Sequence, residues 1–212
     1  MARRLTLSLL VLGVVAGWGC ASKPESEETV EPVTHPLPTA GLAGEPVTVY
    51  PLTLIAAEPK LGWDSLIRPR DEALHHADSL IELFLEERAP EADWVMPDVL
   101  RRMARQAPGM LADPDQMGTA LLRGDGLTKI PDPLRSQMRN LTGVTGNRYA
   151  LVPASLAYFA TDSLGMARAE LTMVVAEVRS GTVEWRTVAR GEGEDPWTAL
   201  WEALTSLVPG LP

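Results

Sequence analysis

The chain has one cysteine, Cys20, in 212 residues, and only three histidines and two phenylalanines. A lone thiol excludes an internal disulfide and the paired-cysteine spacings of structural zinc and redox sites. The histidines do not make up for it. His35 falls in a proline-rich stretch, and an adjacent pair such as His75 and His76 does not share a helix face as ligands at i and i+4 would. No G-x-S-x-G, H-E-x-x-H or phosphate-loop pattern occurs. The nearest glycine-rich candidate, Gly124-Asp125-Gly126, reads as a turn. Carboxylates such as Glu82, Glu86 and Glu87 have the spacing of a solvated helix face. Nothing converges, so no catalytic residue, metal ligand or cofactor is expected, and no enzymatic activity. An excess of basic residues is missing as well. With 19 Lys and Arg against 28 Asp and Glu, the net charge is −9, which repels nucleic acid phosphates and anionic headgroups. Nor is any apolar run long enough for a stable membrane-spanning helix, which needs about 20 residues.

The longest apolar run, residues 5–15, lies behind Arg3 and Arg4 and is followed by Ala16, Gly17, Gly19 and Cys20. A positive end, a short apolar core and small residues are the parts of an export signal. The cysteine that closes them resembles the bacterial lipobox, in which the thiol receives a diacylglycerol group and the signal is cut before it. Residues 1–19 are therefore expected to be a lipoprotein signal peptide, with Cys20 as the lipid attachment site. Ala21 after the cysteine, in place of Asp, is consistent with sorting to an outer membrane. Residues 20–45, rich in Pro, Glu and Thr, show no helical or strand period and read as a lipidated disordered tether. Its average reach is about 25–30 Å.

Residues 46–212 have the length of one domain and show no internal repeat. Residues 46–57 read as a buried strand. Residues 70–89 form the clearest amphipathic helix, with Ala73, Ala77, Leu80, Ile81 and Phe84 on one face. A short strand (92–96) leads into a helix opened by Pro97. Residues 108–133 are irregular, with one short helix near 115–122, and residues 134–144 predict a further helix. Three strand-like runs follow, 148–159, 165–180 and 182–191. The last two form a hairpin about Ser180-Gly181. In the first of these Ala167, Ala169, Leu171, Met173 and Val175 oppose Arg168, Glu170 and Thr172. In the second, Val183, Trp185 and Ala189 oppose Glu184, Arg186 and Arg190. A final helix has Asp195 as N-cap and Pro196 at its first position. Its core face carries Trp197, Leu200, Trp201, Leu204, Leu207 and Val208. The fold class is α/β (α+β): a single domain with a mixed sheet flanked by helices, a late antiparallel hairpin and a C-terminal helix.

Four stretches, "VYPLTLIA", "ADWVMPDVLRRM", "LTGVTGNRYALVPASL" and "LTMVVAEVRSGTVEWRTVARGEG", carry a family resemblance. The pattern of Val175, Val178, Gly181, Val183, Trp185 and Gly191 resembles the late hairpin of an envelope lipoprotein superfamily. That superfamily includes the curli-secretion lipoprotein, the penicillin-binding-protein activator lipoproteins and the TolB N-terminal-like domain. Pro153 stands where the family tends to have Gly, and residues 108–133 have no obvious counterpart. The resemblance implies a non-catalytic assembly or regulatory adaptor in the periplasm-facing cell envelope. It would be anchored to membrane through its N-terminal lipid and would bind another envelope protein. Curli-type members assemble into rings, so an oligomeric secretion-channel component is the alternative, with a glycan binder or hydrolase behind it. A barrel needs two spare amphipathic hairpins, whereas 168–190 supplies one, with arginines on its outer face. Trp63, in a polar loop before the first long helix, is the expected contact for a partner protein.

Overall fold

The structure is a computed structural model that describes residues 34–163 and 165–208. The predicted signal peptide, Cys20 and the first part of the predicted tether lie outside the described residues.

The strands β1 (Pro46–Val49), β2 (Ile55–Ala57), β3 (Asp93–Val95), β4 (Tyr149–Ala160), β5 (Ala167–Glu177) and β6 (Thr182–Gly193) form one mixed sheet in the order β3-β1-β4-β5-β6. β1 runs parallel to both β3 and β4, and β2 runs parallel to β4 further along it. The single strand expected over 46–57 is therefore two. Between them Tyr50 turns its hydroxyl to the Met138 carbonyl and to Thr142, and Leu52 donates its N–H to Asp78. The backbone still bonds to β4 at Tyr50 and Leu54, but at Leu52 the N–H is diverted to a carboxylate and the ladder is interrupted. β4, β5 and β6 are antiparallel, with Gly181 at φ 72° in the turn between β5 and β6, where a side chain is disfavoured.

The helices are α1 (Thr39–Leu42), α2 (Arg70–Arg88), α3 (Pro97–Gln106), α4 (Leu134–Thr145) and α5 (Pro196–Thr205). α2 and α5 cover one sheet face. Ala73, Ala77, Ile81 and Phe84 of α2 and Leu200 and Leu204 of α5 pack on Leu151, Leu171, Met173 and Ala189. Each of the buried Leu, Ile, Phe and Met side chains among these stabilises the fold by about 1.5–3 kcal/mol. The predicted cap of α5 is present: the Asp195 carboxylate accepts from the N–H groups of Trp197 (2.9 Å) and Thr198 (3.1 Å). The side-chain bond to Thr198, with these backbone bonds, holds its pKa below the usual carboxylate range. The opposite sheet face carries a second core, in which Leu100 of α3 and Leu134, Met138 and Leu141 of α4 meet Val152, Ala154, Val174 and Ala176. Residues 108–133 contribute to it through Met117, Leu122 and Ile130. They contain two 3-10 turns, Pro114–Gln116 and Thr119–Arg123, where one short helix is expected from the sequence.

Two β-bulges set which side chains face which core. In β4 the register shifts between Pro153 and Ser155, so Val152 and Ala154 face α4 while Leu156 and Tyr158 face α5. Proline lacks the N–H a central strand needs and is tolerated beside such a bulge. In β6 a shift at Glu184 puts Val183 against the second core and Trp185 against the first. The expectation that both share one face is corrected: an unbroken alternation fails across an extra residue.

The tether does not extend to residue 45. Leu37 and Leu42 are buried in the first core, Leu37 N–H donates to the Leu207 carbonyl, and residues 34–35 bond to β6. Two leucines spaced five apart in a proline-rich stretch make no period, but tertiary burial holds them.

Candidate functional site

Among the described residues, half of the second sheet face has no helix over it. α4 and the turn at Thr119–Arg123 cover its Ala150–Ala154 and Val174–Val178 end. At the other end the outward residues of β4, β5 and β6 are Ser155 and Ala157, Glu170 and Thr172, and Arg186, Val188 and Arg190. They floor a recess of about 710 Å³, walled by Arg123–Asp125 and bordered by His35. β4 and β5 place these polar residues here because, past the β4 bulge, every second residue turns away from the α2–α5 core.

The groups in the recess are bonded to one another. The Ser155 hydroxyl donates to Thr172 (3.2 Å). Glu170 receives Arg190 Nε at 3.1 Å and faces Arg168 Nε at 3.4 Å. Arg186 bonds through one terminal nitrogen to the Asp125 carboxylate and through the other to the Arg123 carbonyl. Its Nε is enclosed and has no acceptor among the described residues. Thr34 donates its hydroxyl to the Val188 carbonyl (3.0 Å), and His35 N–H donates to the Thr187 hydroxyl (2.8 Å). Three arginines face two carboxylates here, so the recess carries a positive excess on a chain of net charge −9.

Trp63 is buried and not exposed. It sits in a 3-10 turn, is 9% exposed, and meets Tyr158 edge-on with ring centroids 5.4 Å apart. The loop between β2 and α2 folds back over the end of the sheet, and the ring caps the core there. Its polar neighbours Asp64 and Ser65 take the solvent side. The exposure expected of Trp63 is therefore corrected. His75 and His76 remain exposed on α2, and the His76 ring lies edge-on to Trp197 at 4.4 Å.

The sequence reading missed an ionic cluster. Asp78 lies in the apolar stripe of α2, 5% exposed, and its carboxylate accepts from Leu52 N–H (2.8 Å) and from Arg101. Arg101 of α3 also reaches both Asp115 oxygens from Nε (3.0 Å each) and Asp98 from Nη1 (3.0 Å). Burial pushes Asp78 up to about 6 against the opposing pull of Leu52 N–H and Arg101. The only sequence signal is one carboxylate on the wrong side of an amphipathic helix. The cluster ties α2, α3, the β1–β2 break and the 108–133 segment together, and every donor in it has a structural acceptor. Among the described residues, no group of three or more His, Cys, Asp or Glu could hold a metal ion, and no helix is long and apolar enough to cross a membrane. A second surface, an apolar groove of about 470 Å³, lies between α3 and α4 around Met103, Met110 and Val144, with Met110 81% exposed.

No protein-family model and no curated protein matches this sequence. Solved structures do. The LpoB C-terminal domain from Salmonella enterica is 18% identical over 72% of this chain and 84% of its own, with a TM-score of 0.42. The PelC dodecamer from Paraburkholderia phytofirmans is 14% identical over 85% of this chain and 96% of its own, with a TM-score of 0.37. A lipoprotein from Neisseria meningitidis is 15% identical over 68% and 78%, with a TM-score of 0.31. These neighbours assign no role to any residue of this chain.

Proposed function

We propose that this chain is an envelope lipoprotein, held at the membrane through Cys20, whose domain binds another envelope protein as a non-catalytic adaptor. The observation that carries this reading is the helix-free half of the sheet face. Its recess has the size of a recognition site, and on its floor Arg190 is paired with Glu170 and Arg186 with Asp125. Residues 1–19 would be removed on export, and Cys20 would place the domain on the periplasmic side of the outer membrane. Cys20→Ser is expected to release the protein into the soluble fraction with no lipid incorporated. A variant that stays membrane-bound without lipid overturns the anchor.

The adaptor role is tested with a photoreactive residue at Ala157, in the floor of the recess, and at Met110 as a comparison, in intact cells. Capture of one envelope protein from Ala157 in near-equal amount supports the reading. Capture of nothing, or only of second copies of this chain, overturns it.

A further inference from the structure

Resting on that reading of the recess as a docking face, we propose that what enters it is a carboxylate-rich segment of the partner protein, received by Arg186 and Arg190 with Arg123 at the mouth. Four observations converge. The recess holds a positive excess on an acidic chain, so attraction to anionic groups is local to this face. The Arg186 guanidinium already holds a carboxylate, but that carboxylate belongs to Asp125, whose side chain is 93% exposed. An ion pair with so solvated a partner contributes little, so an incoming carboxylate replaces Asp125 at small cost. Arg186 and Arg190 both line the recess from the same face of β6, with only Val188 between them on that face, and a guanidinium is well satisfied by the two oxygens of a carboxylate. The fourth observation separates a peptide from a glycan. Among the described residues, no Trp, Tyr or Phe lines the recess, and its one ring is the His35 imidazole at the border. Trp63, Trp94, Trp185, Trp197 and Trp201 all pack against the first core. A sugar would have no indole or phenyl face to stack on, whereas the hydroxyls of Ser155, Thr172 and Thr187 suit a peptide backbone.

Glu170 gives the proposal its internal control. It competes with the incoming acid for Arg190, so removing either partner of this ion pair acts in opposite directions. The full chain is titrated with fluorescent hexaglutamate, hexaglutamine and tetragalacturonate, followed by anisotropy. Hexaglutamate is expected to bind, and to weaken about tenfold between about 50 and about 300 mM salt as screening grows. Arg190→Gln weakens it about tenfold, and Glu170→Gln tightens it several-fold. A misfolded domain could not produce both changes. Equal binding of hexaglutamate and hexaglutamine, indifference to the two variants, or tighter binding of tetragalacturonate each overturns the acidic segment. If that happens while Ala157 still captures a partner in cells, the adaptor reading stands and only its chemistry falls. If Ala157 captures nothing, the adaptor reading itself has failed.

Discussion

Gly191 of β6 lies against the backbone of Ala203 in α5 so closely that a Cβ on Gly191 would stand 2.1 Å from the Ala203 nitrogen. Gly193, one residue pair along, faces the Ala199 nitrogen in the same way, at 2.5 Å. The helix therefore rests on the strand's bare backbone at two successive turns, and Leu200 and Leu204 reach the core because of it. Gly191→Ala should cost at least about 1–3 kcal/mol, since backbone and not a flexible side chain must move. Gly143 in α4 has open space at its Cβ, and Gly143→Ala should be neutral or stabilise by about 0.5–1 kcal/mol. Urea midpoints of the two variants check the contrast, and equal midpoints would refute it.

Arg101→Leu removes the cation from a carboxylate that is 5% exposed. At neutral pH the loss is expected to be about 3–5 kcal/mol, because Asp78 is left charged and buried. The pH dependence follows from the raised pKa of Asp78. A carboxyl whose folded pKa, about 6, lies above its ordinary value of 3.8 contributes stability that is present at low pH and fades as pH rises through 6. The Arg101→Leu penalty should therefore shrink between pH 7 and pH 5, where Asp78 takes up a proton. Thermal midpoints of both proteins across that window measure it, and a penalty that grows on acidification would contradict the assignment.

Trp63→Ala should behave as a core truncation. Removing a ring that is 9% exposed and packed on Tyr158 is expected to cost about 3–5 kcal/mol. A variant with unchanged stability but lost partner binding would return Trp63 to the surface role first expected of it.

The elements that announce themselves by period were legible. The apolar stripe of α2, the alternation of β5 and the Asp195-Pro196 start of α5 are local signals, and the structure places all three within a few residues of their expected bounds. The split of β1 from β2, the two bulges and the burial of Leu37 were not legible. Each is decided by a residue distant in sequence: Asp78 for Leu52, Thr172 for Ser155, Leu207 for Leu37. The recess was half legible. Arg168, Glu170, Thr172, Arg186 and Arg190 were read as the outward face, but outward residues ordinarily meet bulk water. That the 108–133 segment would wall them in through Arg123 and Asp125 depended on where that segment packs.

The margin of β6 bears on self-association. Along its first residues, Ile130 N–H donates to the Gly181 carbonyl and Val183 N–H to the Thr128 carbonyl, while further on the Thr34 hydroxyl occupies the Val188 carbonyl. An open strand margin offers a template on which another chain can add hydrogen bonds, a common route to unwanted polymerisation. Here the template is already filled at both places by segments of the same chain. Lengthening the sheet across copies at β6 would first require those segments to be peeled away. Crowding many copies together therefore need not turn them into fibres.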